Sequence, residues 1–523
     1  MTNPVRATAL IAARAVVIGL VAAALYLPGL GHAPPYLSHD EALFGIQAHA
    51  IAATGRDADG NRFPLYFVEP GYEIGRDPFH VYLTALILQW QPLSESSIRA
   101  GAAGVGVVSI MLLFLLARRL FAHEWLAWLA AAMLALTPVH YFHSRLGLSV
   151  IYPIPFVIGW LLCLVIYLER SRLGWLAASA LALGAGAYSY LAALVMMPLY
   201  AVATAVVLLA RRSLVPIVVL VAGFALPLSL LVAWHLSHPG RYGEIINVYA
   251  LYDADRLNPL QGLRDMTSYF SLGERVAAYW QAFNPGRWFF TGDGNLAKST
   301  RQVGLFLMPV AILLPIGAVT LIRRRTAIGA LLLAGLVTAP LPEVLVGAGE
   351  VGRWLVVVPF VVLIATFGAE TLWLSGNPAL IALVLLLLVM PLQFAIFHRD
   401  YMTDYRARSG SWFGGGNARG AVTAAIQLQP DVAYFSNSAP HFSAFWTFYA
   451  LAHGQGAPAI PVNDVPPGDI PVVPPGVSAA FITPALDQAA SLRLQQDGWQ
   501  LADRIANVDG ATGFLVWSKR PAR

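Results

Sequence analysis

The run Gly101-Ala102-Ala103-Gly104-Val105-Gly106-Val107-Val108-Ser109-Ile110-Met111-Leu112-Leu113-Phe114-Leu115-Leu116-Ala117-Arg118-Arg119 decides what kind of chain this is. An apolar stretch of this length matches the about 20 helical residues needed to cross the hydrocarbon core of a bilayer, and it stops at an arginine doublet. The same ruler laid along the chain finds apolar runs at 8–28, 97–117, 125–140, 147–168, 174–190, 192–210, 214–235, 303–321, 327–345, 353–374 and 378–397. The expected fold is an all-α polytopic membrane domain of about eleven transmembrane helices. The pair at 174–210 must turn at Ala187-Tyr188-Ser189-Tyr190 with no charge to mark the bend, and read as one buried hairpin it lowers the count by two.

Composition points the same way. Hydrophobic residues make up 58% of the 523, charged residues only 12%, and the mean hydropathy is +0.63, whereas a soluble domain carries about 25% charged residues. Cys163 is the single cysteine, which excludes a disulfide framework and a Cys-based metal site. The net charge of +5 is carried mainly by basic doublets and triplets at the ends of apolar runs, a topology signal rather than a nucleic-acid groove. Arg6 and Arg14 before the first run imitate a cleavable signal, but the many spans that follow favour a retained first helix.

Placing the N-terminus in the cytoplasm collects Arg6, Arg14, Arg118, Arg119, Arg170, Arg172, Arg211, Arg212, Arg323, Arg324 and Arg325 on the cytoplasmic side. The short loops opposite hold only Arg145 and Arg353. This is the sense the positive-inside rule requires. The loops at 29–96 and 236–302 and everything beyond 398 are then extracytoplasmic, in a multi-pass protein of the plasma or inner membrane. Two domains follow: 1–398 in the membrane and 399–523 outside it. The second shows strand patterns at 431–436, 477–483 and 513–518 and helix patterns at 421–428 and 486–497, an expected small α/β soluble domain.

The densest chemistry lies just after the first span, in Pro34-Pro35-Tyr36-Leu37-Ser38-His39-Asp40-Glu41-Ala42-Leu43-Phe44. Acidic residues in a first helical turn cap N–H groups and complement the helix dipole. Here, however, Leu43, Phe44, Ile46, Ala50 and Ile51 suggest a helix along the membrane surface, which would aim the Asp40-Glu41 end at a lipid head group. A second cluster, Tyr72-Glu73-Ile74-Gly75-Arg76-Asp77-Pro78, precedes a short amphipathic run at 79–90 that reads as another interfacial helix. Asp77 and Pro78 form a helix start, while Tyr72, Glu73, Arg76 and Asp77 are candidate substrate or phosphate contacts.

These features resemble the GT-C superfamily of membrane glycosyltransferases, in the branch of protein O-mannosyltransferases and lipid A aminoarabinose transferases. The resemblance rests on Asp40-Glu41, the interfacial segments after it, the order of spans across 1–397, and the loop Gly349-Glu350-Val351-Gly352-Arg353 leading into a helix with Pro359 and Gly368. It implies a polyprenyl-phosphate-sugar donor, an extracytoplasmic acceptor, and a catalytic carboxylate in the first outer loop. By position that role falls to Asp40, with Glu41 beside it. Related enzymes often carry another acid in the second outer loop. Here that loop reads His140-Tyr141-Phe142-His143-Ser144-Arg145-Leu146-Gly147, so a carboxylate-based metal site there is in doubt and the need for a divalent metal ion stays open.

Sugar transfer from a lipid phosphate asks for a base at the acceptor hydroxyl and cations at the departing phosphate. Arg353 and Arg145, then Arg76, Lys298 and Arg301, are the candidate cations, because arginine in particular grips phosphate with a planar fork. Interfacial anchoring is the competing reading for these arginines. Asp293 and Glu350 are further candidate substrate contacts, though the loop around Asp293 also reads as a plain turn. Asp253 and Asp255 read as solvated loop. The pairs His140/His143 and His235/His238 lack a nearby carboxylate or cysteine that would complete a metal site. The alternative function is a transporter or flippase of a lipid-linked glycan, which would keep ionisable groups near the bilayer midplane. The spans here are almost free of them, with Glu169, Glu343 and Glu370 near span ends. A third reading makes the spans a scaffold for a tail that binds a partner.

Overall fold

Each of the eleven apolar runs carries helix in the computed structural model, which describes residues 4–69, 72–209, 213–238, 258–346, 350–414, 416–439, 441–454 and 457–520. The first part of the chain forms helices α1 (Pro4–Tyr26), α2 (His39–Thr54), α3 (Pro78–Ile87), α4 (Glu95–Leu120), α5 (Glu124–Ala135), α6 (Pro138–His143), α7 (Pro153–Arg170), α8 (Leu173–Gly186), α9 (Ala193–Leu209) and α10 (Val215–Ser237). Beyond these, Met308–Arg324, Ala327–Thr338, Val357–Leu374 and Asn377–Met402 complete the membrane set.

Among the described residues, seven helical stretches are long and apolar enough to cross a membrane by length and composition, one of them, Ala327–Val344, running from Ala327–Thr338 into the short helix Leu341–Val346. The other four expected runs fold as shorter helices, each for a local reason. Pro138 cannot continue α5, so 125–140 splits into α5 and α6. Residues 187–192 turn the chain between α8 and α9, where a bend was expected. The run at 303–321 starts late, because Leu305 and Phe306 donate their N–H groups to Arg287 and Trp288 instead of to a helix.

The helices pack around one large apolar core in which Trp160, Leu164, Tyr200, Trp354 and Phe360 are buried. Pro198, Pro227, Pro315 and Pro391 lie inside helices, as membrane helices tolerate where neighbours take up the freed backbone groups. Gly184 of α8 is a close-packing position: a side-chain carbon there would strike the Phe224 carbonyl of α10.

The first long loop is built as expected from two short helices. Helices α2 and α3 pack on each other through Phe44, Ala48, Ile51, Val81 and Ala85. Between them β1 (Phe67–Glu69) and β2 (Tyr72–Arg76) form an antiparallel hairpin. Tyr72, Glu73 and Arg76 thus lie on a strand rather than in a helix-leading loop.

The C-terminal part contains a five-stranded sheet of order β4-β3-β5-β7-β6, from β3 (Val432–Ser436), β4 (Val462–Val465), β5 (Ala479–Pro484), β6 (Gln500–Ala506) and β7 (Thr512–Lys519). Strand β3 is parallel to β4 and β5, while β7 runs antiparallel to β5, pairing Trp517 with Phe481, and to β6. The three expected strands are β3, β5 and β7. Both unexpected ones are edge strands with little burial. Helices Ala418–Gln427 and Phe442–His453 cover one face, and their core is shared with Leu37, Ala42 and Ile98 of the first loop, α2 and α4.

Candidate active site

The start of α2 is fixed by three residues with different tasks. Ser38 is the cap: its hydroxyl accepts the Glu41 N–H, and the Glu41 carboxylate accepts the Ser38 N–H in return. Glu41 is wholly buried. It accepts from Arg99 Nε at 2.9 Å and from the Gly147 N–H at 2.8 Å. Asp40, one residue earlier, points outward with 48% of its side chain exposed, and His39 Nδ1 lies 3.8 Å from its Oδ1. The capping that accounts for acids at a helix start is therefore done by Ser38 and Glu41, leaving Asp40 as the carboxylate that faces out.

Two buried arginines hold the chain that leads into α2. Arg99, unremarked within its apolar run, donates to the carbonyls of Leu30, Pro34 and Tyr36 as well as to Glu41. Arg145 donates to the carbonyls of Tyr26, Pro28 and Ala33, and its guanidinium lies over the rings of Tyr141 and Tyr401. Arg145 is fully buried. Three carbonyls and two aromatic faces surround it, while its Nε has no hydrogen-bond partner among the described residues.

Residues 144–152 act as a hub. Gly147 holds Glu41, Ser149 Oγ donates to Asp77 Oδ2 at 2.7 Å, and Tyr152 OH lies 2.8 Å from His80 Nδ1. Asp77 stands at the N-cap of α3 but makes no side-chain cap hydrogen bond, so the expected cap is instead a tie to the hub. Burial drives the His80 imidazole down to about 4, against the opposing pull of the Glu41 charge. The hub also meets the 350–354 turn, since a side chain at Gly352 would press on Val150.

That turn and the end of the second long loop form a charged cluster. Asp293, buried, accepts from Arg287 at 2.7 Å, from the Asn295 N–H and from the Val351 N–H. Lys298 pairs with Glu350 at 2.5 Å. Arg301 is exposed, at φ +58°. Arg353 is partly buried, and its Nη1 has no hydrogen-bond partner among the described residues. His143 is buried close by, with its imidazole lowered to about 3 by burial first and the Lys298 charge second. Asp293, Lys298, Glu350 and Arg353 thus sit together, and the hub links them to the α2 start; the solvated-loop pair Asp253 and Asp255 lies outside the described residues. Among those residues no group of three or more His, Cys, Asp or Glu side chains is arranged to hold a metal ion.

Residues 75–235 match the family model of dolichyl-phosphate-mannose-protein mannosyltransferases. No curated protein matches the chain in sequence. Among solved structures, ArnT from Cupriavidus metallidurans bound to undecaprenyl phosphate aligns over 98% of this chain and 97% of its own at 14% identity, with a TM-score of 0.55. Its apo form aligns over 98% of each chain at 16% identity and the same TM-score. The alignment runs from the membrane helices through the C-terminal sheet. The chain thus shares the fold of ArnT, and its residues 75–235 are similar to the mannosyltransferase family model.

Proposed function

We propose that the protein transfers a sugar from a polyprenyl-phosphate carrier to a hydroxyl of an extracytoplasmic acceptor, with Asp40 as the base. The observation that carries this reading is the division of labour at α2: Glu41 is fully buried on Arg99 and Gly147, while Asp40 in the same turn is half exposed. An outward carboxylate on a framework this rigid suits a base that must meet a hydroxyl at hydrogen-bond distance. The carrier class is supported by the matched mannosyltransferase segment and by the undecaprenyl phosphate bound to the ArnT structure of the same fold.

In the proposed single displacement, Asp40 takes the proton of the acceptor hydroxyl as its oxygen bonds to the anomeric carbon. The carbon–phosphate-oxygen bond breaks on the opposite face, inverting the sugar and leaving polyprenyl phosphate with the extra negative charge. Arg353 is the first-choice partner for that charge, with Lys298, paired to Glu350, and Arg301 as further candidates, and Asp293 holds the Val351 N–H of the same turn. On the sequence pattern, Tyr72, Glu73, Arg76 and Asp77 are assigned to the substrate as candidate contacts. The arginine bias of the loops supports an extracytoplasmic location for this face.

The test is Asp40→Asn in membranes supplied with polyprenyl-phosphate sugars. Transfer should fall by about 100-fold or more, the scale of a positioned general base, at unchanged expression. Wild-type transfer by the variant would sink the proposal.

A further inference from the structure

We infer that the C-terminal domain completes this active site, with His441 as a positioning residue that acts on Asp40 through His39. The inference rests on the reading of Asp40 as the base.

The domain is docked directly on the helix that carries Asp40. A side-chain carbon at Gly45 of α2 would lie 2.5 Å from Phe448 Cε2, so glycine is what lets the two helices approach. Phe448 is itself fully buried and has no room to yield. Farther along, Tyr449 OH donates to Glu95 Oε1 at 2.7 Å, Arg419 pairs with Glu95 at 3.4 Å, and the Val508 N–H donates to Tyr36 OH. Three separate parts of the tail therefore grip the first loop and the start of α4.

This docking brings His441 to the α2 start. Its ring lies against that of His39, with centroids 4.1 Å apart and planes 31° from parallel, and His39 Nδ1 lies 3.8 Å from Asp40 Oδ1. His441 adopts φ +60° immediately before helix Phe442–His453. A non-glycine residue pays for that left-handed backbone, and such positions persist where the surroundings over-determine them. Asp40 is half exposed, so burial does not fix its rotamer. His441 is itself exposed, so its hold on the His39 imidazole is the ring contact from the other domain, and a displacement of about 1 Å at a reacting group costs about 100-fold in rate.

The experiment uses the full chain in native membranes whose lipid-linked sugars are metabolically labelled, and reads the rate at which label leaves the lipid fraction. His441→Ala should slow transfer about tenfold or more, while His441→Phe, which keeps a flat ring against His39, should recover most of the rate. Because His441 acts through His39, the His39→Ala/His441→Ala double variant should be no slower than His39→Ala alone. Limited proteolysis of the tail reports whether each variant stays docked. A wild-type rate for His441→Ala overturns the inference. So does a docked His441→Phe as slow as His441→Ala, or a double variant whose losses multiply. Asp40→Asn separates the two levels: wild-type transfer there refutes the reading of Asp40 as base, whereas an inactive Asp40→Asn beside a fully active His441→Ala refutes the role of His441 alone.

Discussion

Glu41 and Arg99, 58 residues apart in sequence, form an ion pair with neither side chain exposed to solvent. Every other hydrogen bond of Arg99 goes to carbonyls of the loop before α2, so the pair fixes the first loop to α4 as well as capping α2. Burying two charges is costly, and removing one partner strands the other, at about 3–5 kcal/mol. Glu41→Ala and Arg99→Ala should each lower the thermal midpoint in detergent sharply. The Glu41→Leu/Arg99→Met double variant should lose less than the sum of the single losses, because no unpaired charge remains. Additive losses in a thermal-shift assay would show that the pair is not a unit.

Arg353 should behave differently, because its Nη1 has no partner to lose among the described residues. Arg353→Ala is expected to leave the thermal midpoint near wild type and to raise the donor concentration needed for half-maximal transfer about tenfold or more, the loss of a charge-assisted hydrogen bond of about 1.5–3 kcal/mol. Arg353→Lys should recover only part, since an ammonium lacks the fork that grips two phosphate oxygens. Titration with polyprenyl phosphate as competitor measures the same loss without turnover.

Arg145 gives the opposite pattern. Its bonds to the carbonyls of Tyr26, Pro28 and Ala33 close the turn at the end of α1, so Arg145→Ala should reduce stability and activity together. The fraction that remains folded should bind polyprenyl phosphate with wild-type affinity. A selective loss of donor binding at full stability would return Arg145 to the phosphate site.

The contrast between these two arginines shows what the sequence could and could not reveal. Both stand in loops that the charge pattern places opposite the arginine-rich side, and nothing local separates a guanidinium fully buried on three carbonyls from a partly buried one beside the Lys298–Glu350 pair. Apolar run length was legible because crossing a bilayer imposes a fixed minimum, and each run it located carries helix. It overstated lengths where Pro138 ended a helix early and where the tie between Leu305 and Arg287 delayed the start of another. Asp40 and Glu41 were visible as a pair, but their separate tasks depend on Arg99 and Gly147, which are remote in sequence. An arginine in the first turns of an apolar helix was the available signal for Arg99, since a charge there calls for a buried counter-charge. His441 had no local signal at all, because only docking of the tail brings it to His39.

The buried His80 makes stability depend on pH in a calculable direction. Burial lowers its imidazole from 6.5 to about 4 in the folded protein. The unfolded chain therefore binds a proton between those values that the folded chain refuses. Stability should be unaffected by this group above about pH 6.5, fall as the pH drops toward 4, and lose about 3 kcal/mol in all from the depressed value. His143, lowered to about 3, adds to the loss in the same direction and continues it further into acid. Comparison with His80→Gln isolates the first term. The variant loses some stability at pH 7.5 through its altered contact with Tyr152, but its midpoint should decline less steeply than wild type between pH 6.5 and 4. Parallel curves for the two proteins across that window would show that His80 does not titrate with unfolding.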